Sequence, residues 1–193
     1  ILEKMNCDTS IPTVFEYLSG ISLYWISEKK CNLFEILNLY LDANLLPQRF
    51  ASGLKPDLLY KNKDYDILIE VTLSKKDNQR KMELEPVTRH LGKYCLENKN
   101  KTAYCIFIAP YLDPNVLVSF RSYKKLKYYN SNNTSEFIDG LNIIPISIKD
   151  LIYILGNNFK YSDTENKFCE ILNSDESDGY LWYENKIKKI FSK

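Results

Sequence analysis

Long apolar runs are missing from this chain of 193 residues, and so is a charged-then-apolar N-terminal layout. A membrane span and a secretory signal are thereby excluded, and a cytoplasmic location is the expectation. The chain opens on Ile1 rather than Met, which leaves the native start open. Paired cysteines are lacking too. Cys7, Cys31, Cys95, Cys105 and Cys169 stand singly, with no CxxC and an odd count. That excludes a disulfide framework and a zinc knuckle and predicts reduced, mostly packed thiols. An excess of one charge is also absent, since the formal net charge is +1. Affinity for nucleic acid grows with the number of phosphates neutralised, so a chain this close to neutrality is poorly equipped to hold DNA alone. No internal repeat and no heptad pattern appears.

What is present is a 45% hydrophobic composition with a good supply of Tyr, Phe and Trp, enough for one well-buried core and one domain spanning 1–193. Apolar spacing predicts two N-terminal helices, Thr13–Ile26 and Cys31–Leu46, separated by the polar break Ser27–Lys30. Residues 1–46 are thus read as a helical buttress, 47–156 as the core and 157–193 as C-terminal helices. Two Leu/Ile/Val-rich runs in KPDLLYKNKDYDILIEVTL flank the polar Asn62–Tyr65 stretch and predict a β-hairpin. Asn78–Glu97 has helical period, although Pro86 could instead mark the helix start. Thr102–Pro110 predicts a buried strand, Pro114–Lys127 a helix and Asn130–Ser135 a polar loop. LNIIPISIKDLIYIL predicts a strand followed by a helix capped by Ser147. Helices at Glu165–Leu172 and Tyr180–Phe191 close the chain. The alternation implies the α/β class, a mixed β-sheet flanked by helices.

The hairpin carries the chemistry. With its loop centred on Lys63 and Asp64, Asp57 falls directly opposite Glu70 on one face, with Thr72 beside them. Leu58, Tyr60, Ile67, Ile69, Val71 and Leu73 fall on the other face. Directly opposed residues have Cβ atoms roughly 5 Å apart. Two carboxylates that close repel one another, so the pair implies a hard cation or a shared proton. Magnesium, which prefers oxygen ligands and retains waters, is the natural occupant. Spacing alone leaves open that both are merely polar strand ends. Glu70 tips the reading, because a carboxylate inside ILIEVTL is costly unless paired or metal-bound.

The string PD, then IEVT, then NQRKMELEPVTRHL resembles the AlwI-type group of type IIS restriction endonucleases, within the PD-(D/E)xK nuclease superfamily. The match is close over Lys55–His90, and the later strand-then-helix order is similar in layout to the FokI cleavage domain. The resemblance implies a bacterial, Mg2+-dependent nuclease core in which Asp57, Glu70 and the Val71 carbonyl bind metal. Glu83 matches a further family carboxylate, catalytic or metal-binding, and His90 matches the family histidine. A capping or surface role for His90 stays open. Thr72 departs from the superfamily pattern, which has lysine there. Water activation would then fall to Lys75 or Lys76 swinging back, to Glu83 holding a second metal, or to the metal alone. A solvated turn is the competing reading of the two lysines. Glu16 is the candidate N-terminal acid approaching the metal and Glu85 the substitute for Glu83, each with a plain surface charge as its alternative. Lys124, Lys125 and Lys127, beside Tyr128 and Tyr129, form a basic patch suited to DNA backbone or to a solvated helix end.

The resulting expectation is a catalytic subunit that cuts one strand of double-stranded DNA near an asymmetric site, GAGTC by resemblance. A larger partner subunit reads the target, because a nuclease core of this length leaves little room for a recognition domain. The alternatives are a homodimeric nuclease or resolvase acting alone, and a noncatalytic DNA- or protein-binding module.

Overall fold

The computed structural model of the protein describes residues 9–50 and 55–191. Its centre is a four-stranded sheet of order β3-β4-β5-β8, built from β3 (Leu58–Lys61), β4 (Tyr65–Val71), β5 (Thr102–Ala109) and β8 (Ile143–Ser147). β3 pairs antiparallel with β4, while β4, β5 and β8 run parallel. Sheet and flanking helices give the mixed α/β architecture expected from the sequence.

β4 is buried at six of its seven positions, as a strand covered on both faces must be. One face bears Ile67 and Ile69 with Tyr104, Ile106 and Ile108. It packs on α1 (Ile11–Ile26), α5 (Ile148–Gly156), α6 (Tyr161–Leu172) and the C-terminal helical segment. The other face bears Leu68, Cys105 and Phe107 and packs on α3 (Asp77–Glu97) and α4 (Pro114–Tyr123). Pro145 is tolerated in β8 because β8 is an edge strand, where a missing N–H need not break a ladder. Leu58, Tyr60, Ile67 and Ile69 join the core as expected, Val71 only partly.

Caps set the ends of several helices. Ser10 caps α1, with Pro12 in its first turn. Ser147 and Asp150 form a reciprocal capping box on α5, at 3.1 and 2.7 Å. α3 is continuous through Pro86, so the ring removes one helical hydrogen bond without ending the helix.

Other boundaries differ from expectation. The second N-terminal helix shrinks to α2 (Leu33–Ile36), and residues expected to continue it form β1 (Leu39–Leu41), paired with β2 (Pro47–Phe50). Asp42 Oδ1 accepts from Asn44 N and Leu46 N at 2.8 and 2.9 Å, with Leu45 at φ 64°. This side-chain-closed turn reverses the chain where a helix would run on. α4 stops at Tyr123 and Lys127 opens β6 (Lys127–Asn130), which pairs with β7 (Asn133–Asp139), so most of the expected polar loop is hairpin. The closing helix runs as α7 (Gly179–Trp182), a π-helical turn (Tyr183–Ile187) and α8 (Lys188–Phe191). Gly179 lets α7 approach α4, since a Cβ there would overlap the Leu117 carbonyl.

Cys105 is buried, Cys31 and Cys95 are half-buried and Cys169 is exposed; none is in a disulfide, and Cys7 lies outside the described residues. Among the described residues, no helix is long and apolar enough to cross a membrane.

Candidate active site

The observed hairpin register pairs Leu58 with Ile69 and Tyr60 with Ile67, which carries Asp57 opposite Glu70 as the sequence predicts. The chemistry of Pro56 decides what happens at that point. One step further the register sets Pro56 against Val71, and proline has no N–H to offer the Val71 carbonyl. Val71 N instead donates to Asp57 Oδ2 at 2.8 Å. In a strand, a residue's N–H and C=O point to the same edge, so the Val71 carbonyl lies on the Asp57 side without a backbone donor. The Pro-Asp pair thus ends the ladder and leaves an acceptor beside two carboxylates.

Glu70 sits on the face covered by α3, and His90 Nδ1 donates to Glu70 Oε1 at 2.8 Å. Both side chains are more than nine-tenths buried. Glu83, seven residues before His90 and hence on nearly the same face of the continuous helix, accepts from Thr72 Oγ1 at 2.6 Å and Ser74 Oγ at 2.8 Å. Both hydroxyls therefore steady Glu83 where the superfamily pattern would have placed a lysine at Thr72.

The electrostatics are those of crowded acids. Asp57 is held well above the ordinary carboxylate range, first by burial, then by the charges of Glu70 and Glu16. Glu70 is raised by burial and by Glu83, against the opposing effect of His90. Glu16, on α1, is pushed up to about 7 by burial and by Glu70. A divalent cation relieves such repulsion.

The free oxygens suit magnesium. With Asp57 Oδ2 and Glu70 Oε1 engaged, Asp57 Oδ1, Glu70 Oε2 and the Val71 carbonyl are the oxygens that could hold a cation. Among the described residues, no three His, Cys, Asp or Glu converge into a closed metal cage. Two carboxylates and a carbonyl are donors of the kind that could hold a hard divalent cation.

A profile of AlwI restriction endonucleases matches residues 2–154. The chain belongs to the AlwI restriction endonuclease family. No curated protein matches it. Among solved structures it is similar to the small subunit (R.BspD6I2) of the heterodimeric restriction endonuclease R.BspD6I, at TM-score 0.71 and 21% identity, covering 94% of this chain and 90% of that one. At that identity the likeness establishes the fold.

Within this AlwI-family chain, the structure brings Asp57, Glu70, Val71, Thr72, Glu83 and His90 together, with Glu16 close enough to raise Asp57 and to be raised by Glu70. It separates the others. Glu85 is exposed and paired with Arg89 at 2.8 Å. Lys75 and Lys76 are exposed, and Lys76 at φ 53° forms the turn into α3. Lys124, Lys125 and Lys127 follow α4, which runs back from the carboxylate end of the parallel strands, so they emerge near the opposite edge of the sheet. Lys127 lies over the Phe137 ring at 3.8 Å.

Gln79, not singled out by sequence reasoning, is fully buried. Its amide donates to Ser74 O at 3.2 Å and Tyr111 O at 2.7 Å and accepts from Asp113 N at 2.9 Å. It ties the loop after β4 to the loop after β5. The one available signal was its place in the NQ of the family-like string.

Proposed function

We propose that this chain is a Mg2+-dependent DNA endonuclease subunit that hydrolyses one strand of duplex DNA near an asymmetric site read by a larger partner subunit. The single observation that carries this reading is Asp57 accepting from the Val71 amide beside buried Glu70, whose charge raises the proton affinity of Asp57. Family membership supports nuclease chemistry. The heterodimeric enzyme whose small subunit shares the fold, together with the near-neutral charge, supports a partner that supplies recognition.

In this reading Asp57 Oδ1, Glu70 Oε2 and the Val71 carbonyl hold the cation. When bound, it would neutralise charge on a phosphate oxygen and acidify a water for in-line attack, giving 5′-phosphate and 3′-hydroxyl ends. His90 fixes the Glu70 carboxylate through Oε1 and would leave its second oxygen for the cation. Glu83, anchored by Thr72 and Ser74, and Glu16 are the further acids whose charges act on Asp57. Because Thr72 carries no ammonium group, proton removal from the water rests on these acids and the cation.

The test is strand-resolved cleavage of a GAGTC duplex in magnesium by this chain with its large subunit, comparing wild type with Asp57→Ala and Glu70→Ala. Cleavage of both strands by the wild-type mixture and only a nick with either variant is the expected result. Identical products from all three would remove the catalytic assignment, and full double-strand cleavage without any partner would favour the self-sufficient homodimer.

A further inference from the structure

A groove of about 410 Å³ runs beside the outer, partly bridged edge of β3, between α2 and α3, and His90 lines it together with Lys55, Lys61 and Lys93. Three features distinguish it from an ordinary surface crevice. First, Lys55, Lys61 and Lys93 are exposed, and among the described residues none is paired with a carboxylate. Second, His90 Nε2 is buried without a hydrogen-bond partner among the described residues, although the ring's other nitrogen holds Glu70. Third, the outer edge of β3 is covered only at its start, where Leu37 bridges Leu58 and Asn38 N donates to the Asp57 carbonyl at 3.2 Å. Asn62 N donates to Tyr65 O at 3.1 Å, so Lys61, beyond that bridge, directs its N–H outward.

The positions form a track. Leu59 and Lys61 share a face of β3, and Lys55 lies in the bend before it, so the two lysines flank Asp57 along the chain. Six residues reach at most roughly 20 Å when extended, comparable to the axial rise of about six nucleotides of one strand. Lys93, one helical turn beyond His90, closes the opposite wall. Glu35 and Glu97 also line the groove, and Glu35 accepts from Asn32 Nδ2 at 3.0 Å.

We infer that this groove is the seat of the cut strand's sugar-phosphate backbone, with Lys55, Lys61 and Lys93 contacting phosphates that flank the scissile one. The inference rests on the nuclease reading and adds the strand's path. It places the phosphate-binding charges at the β3 edge rather than at Lys124, Lys125 and Lys127.

The experiment is binding of a fluorescein-labelled duplex to the full chain assembled with its large subunit over a salt series without divalent metal, monitored by fluorescence anisotropy. Each lost phosphate contact lowers the slope of log K against log salt by about 0.9. The variant Lys55→Gln/Lys61→Gln/Lys93→Gln is therefore expected to lower it by about 2 to 3, while Lys124→Gln/Lys125→Gln/Lys127→Gln leaves it unchanged. Substitutions of exposed lysines of this kind leave the fold intact. An unchanged slope in the groove variant overturns the inference, as does the reverse pattern or absence of salt-dependent binding by wild type. Loss of assembly with the large subunit at an unchanged slope would instead make the edge a protein interface and also overturn it. Metal-dependent cleavage with an unchanged slope sinks the groove alone; a shifted slope with no cleavage under any partner sinks the nuclease reading alone.

Discussion

His90 on α3 donates from Nδ1 to Glu70 Oε1 on β4 at 2.8 Å, joining the helix to the central strand at the point where the acids crowd. Such partners orient a ligating carboxylate, and their loss typically weakens metal binding about 10–100-fold. His90→Ala is therefore expected to weaken Mg2+ binding by roughly that factor, read by calorimetric titration. His90→Asn, whose amide can replace the Nδ1 donor, should recover part of it. Equal metal affinity in wild type and His90→Ala would show that the contact does not position Glu70.

Asp57, Glu70 and Glu16 all hold protons more tightly folded than unfolded. Their contribution to stability is fully present below the unfolded carboxylate pKa. It is lost as pH rises through the folded values, about 7 for Glu16. Without divalent cation, Tm should fall between about pH 5 and about pH 8, and saturating Mg2+ should restore it at the upper end. Glu16→Gln should flatten the profile. A Tm independent of pH across this interval would contradict the crowding of these acids.

Glu83 and Glu85 are close in sequence but differ in surroundings. Glu83 is held by two hydroxyls, whereas Glu85 makes an exposed pair with Arg89. Glu83→Gln should reduce strand cleavage at least about 10-fold while the fold is kept, on the scale of a lost outer contact. Glu85→Gln should change stability by less than about 0.5 kcal/mol and leave cleavage intact. Comparable losses from both substitutions, measured as single-turnover rates, would show that α3 contributes charge rather than position.

At Gly179 an added methyl would overlap the Leu117 carbonyl, a backbone atom that cannot swing aside. Gly179→Ala is expected to destabilise by about 1–3 kcal/mol, the usual cost of overpacking, seen as a lower urea midpoint. A midpoint at the wild-type value would mean that α7 can slide away from α4 without cost.

The hairpin and its carboxylates were legible because side-chain alternation in a strand has a period of two. The loop centre at Lys63 and Asp64 then sets every pairing, including Asp57 with Glu70. β5, β8 and the capped helix after Ser147 were legible for the same local reasons, namely continuous apolar runs and a serine cap. The stretch from Leu37 to Leu46 was not. Its leucines satisfy helical spacing and strand alternation alike, and the Asp42 side chain closing a turn decided for the hairpin. Lys124 to Lys127 likewise continued a helical pattern that the β6–β7 pairing ended.

By itself the sequence determined the α/β class and the carboxylate-bearing hairpin with its register and, through the family-like string, pointed to Asp57, Glu70, Glu83 and His90 as one group. Only the tertiary structure decided that α3 runs unbroken past Pro86 and brings His90 onto Glu70, that Gln79 ties two loops together, and that Glu85 stays outside. It also put Lys55, Lys61 and Lys93 into one groove. The physical reason is range. Register and capping depend on neighbours a few residues apart, whereas these contacts bridge separate elements and exist only once both faces of the sheet are packed.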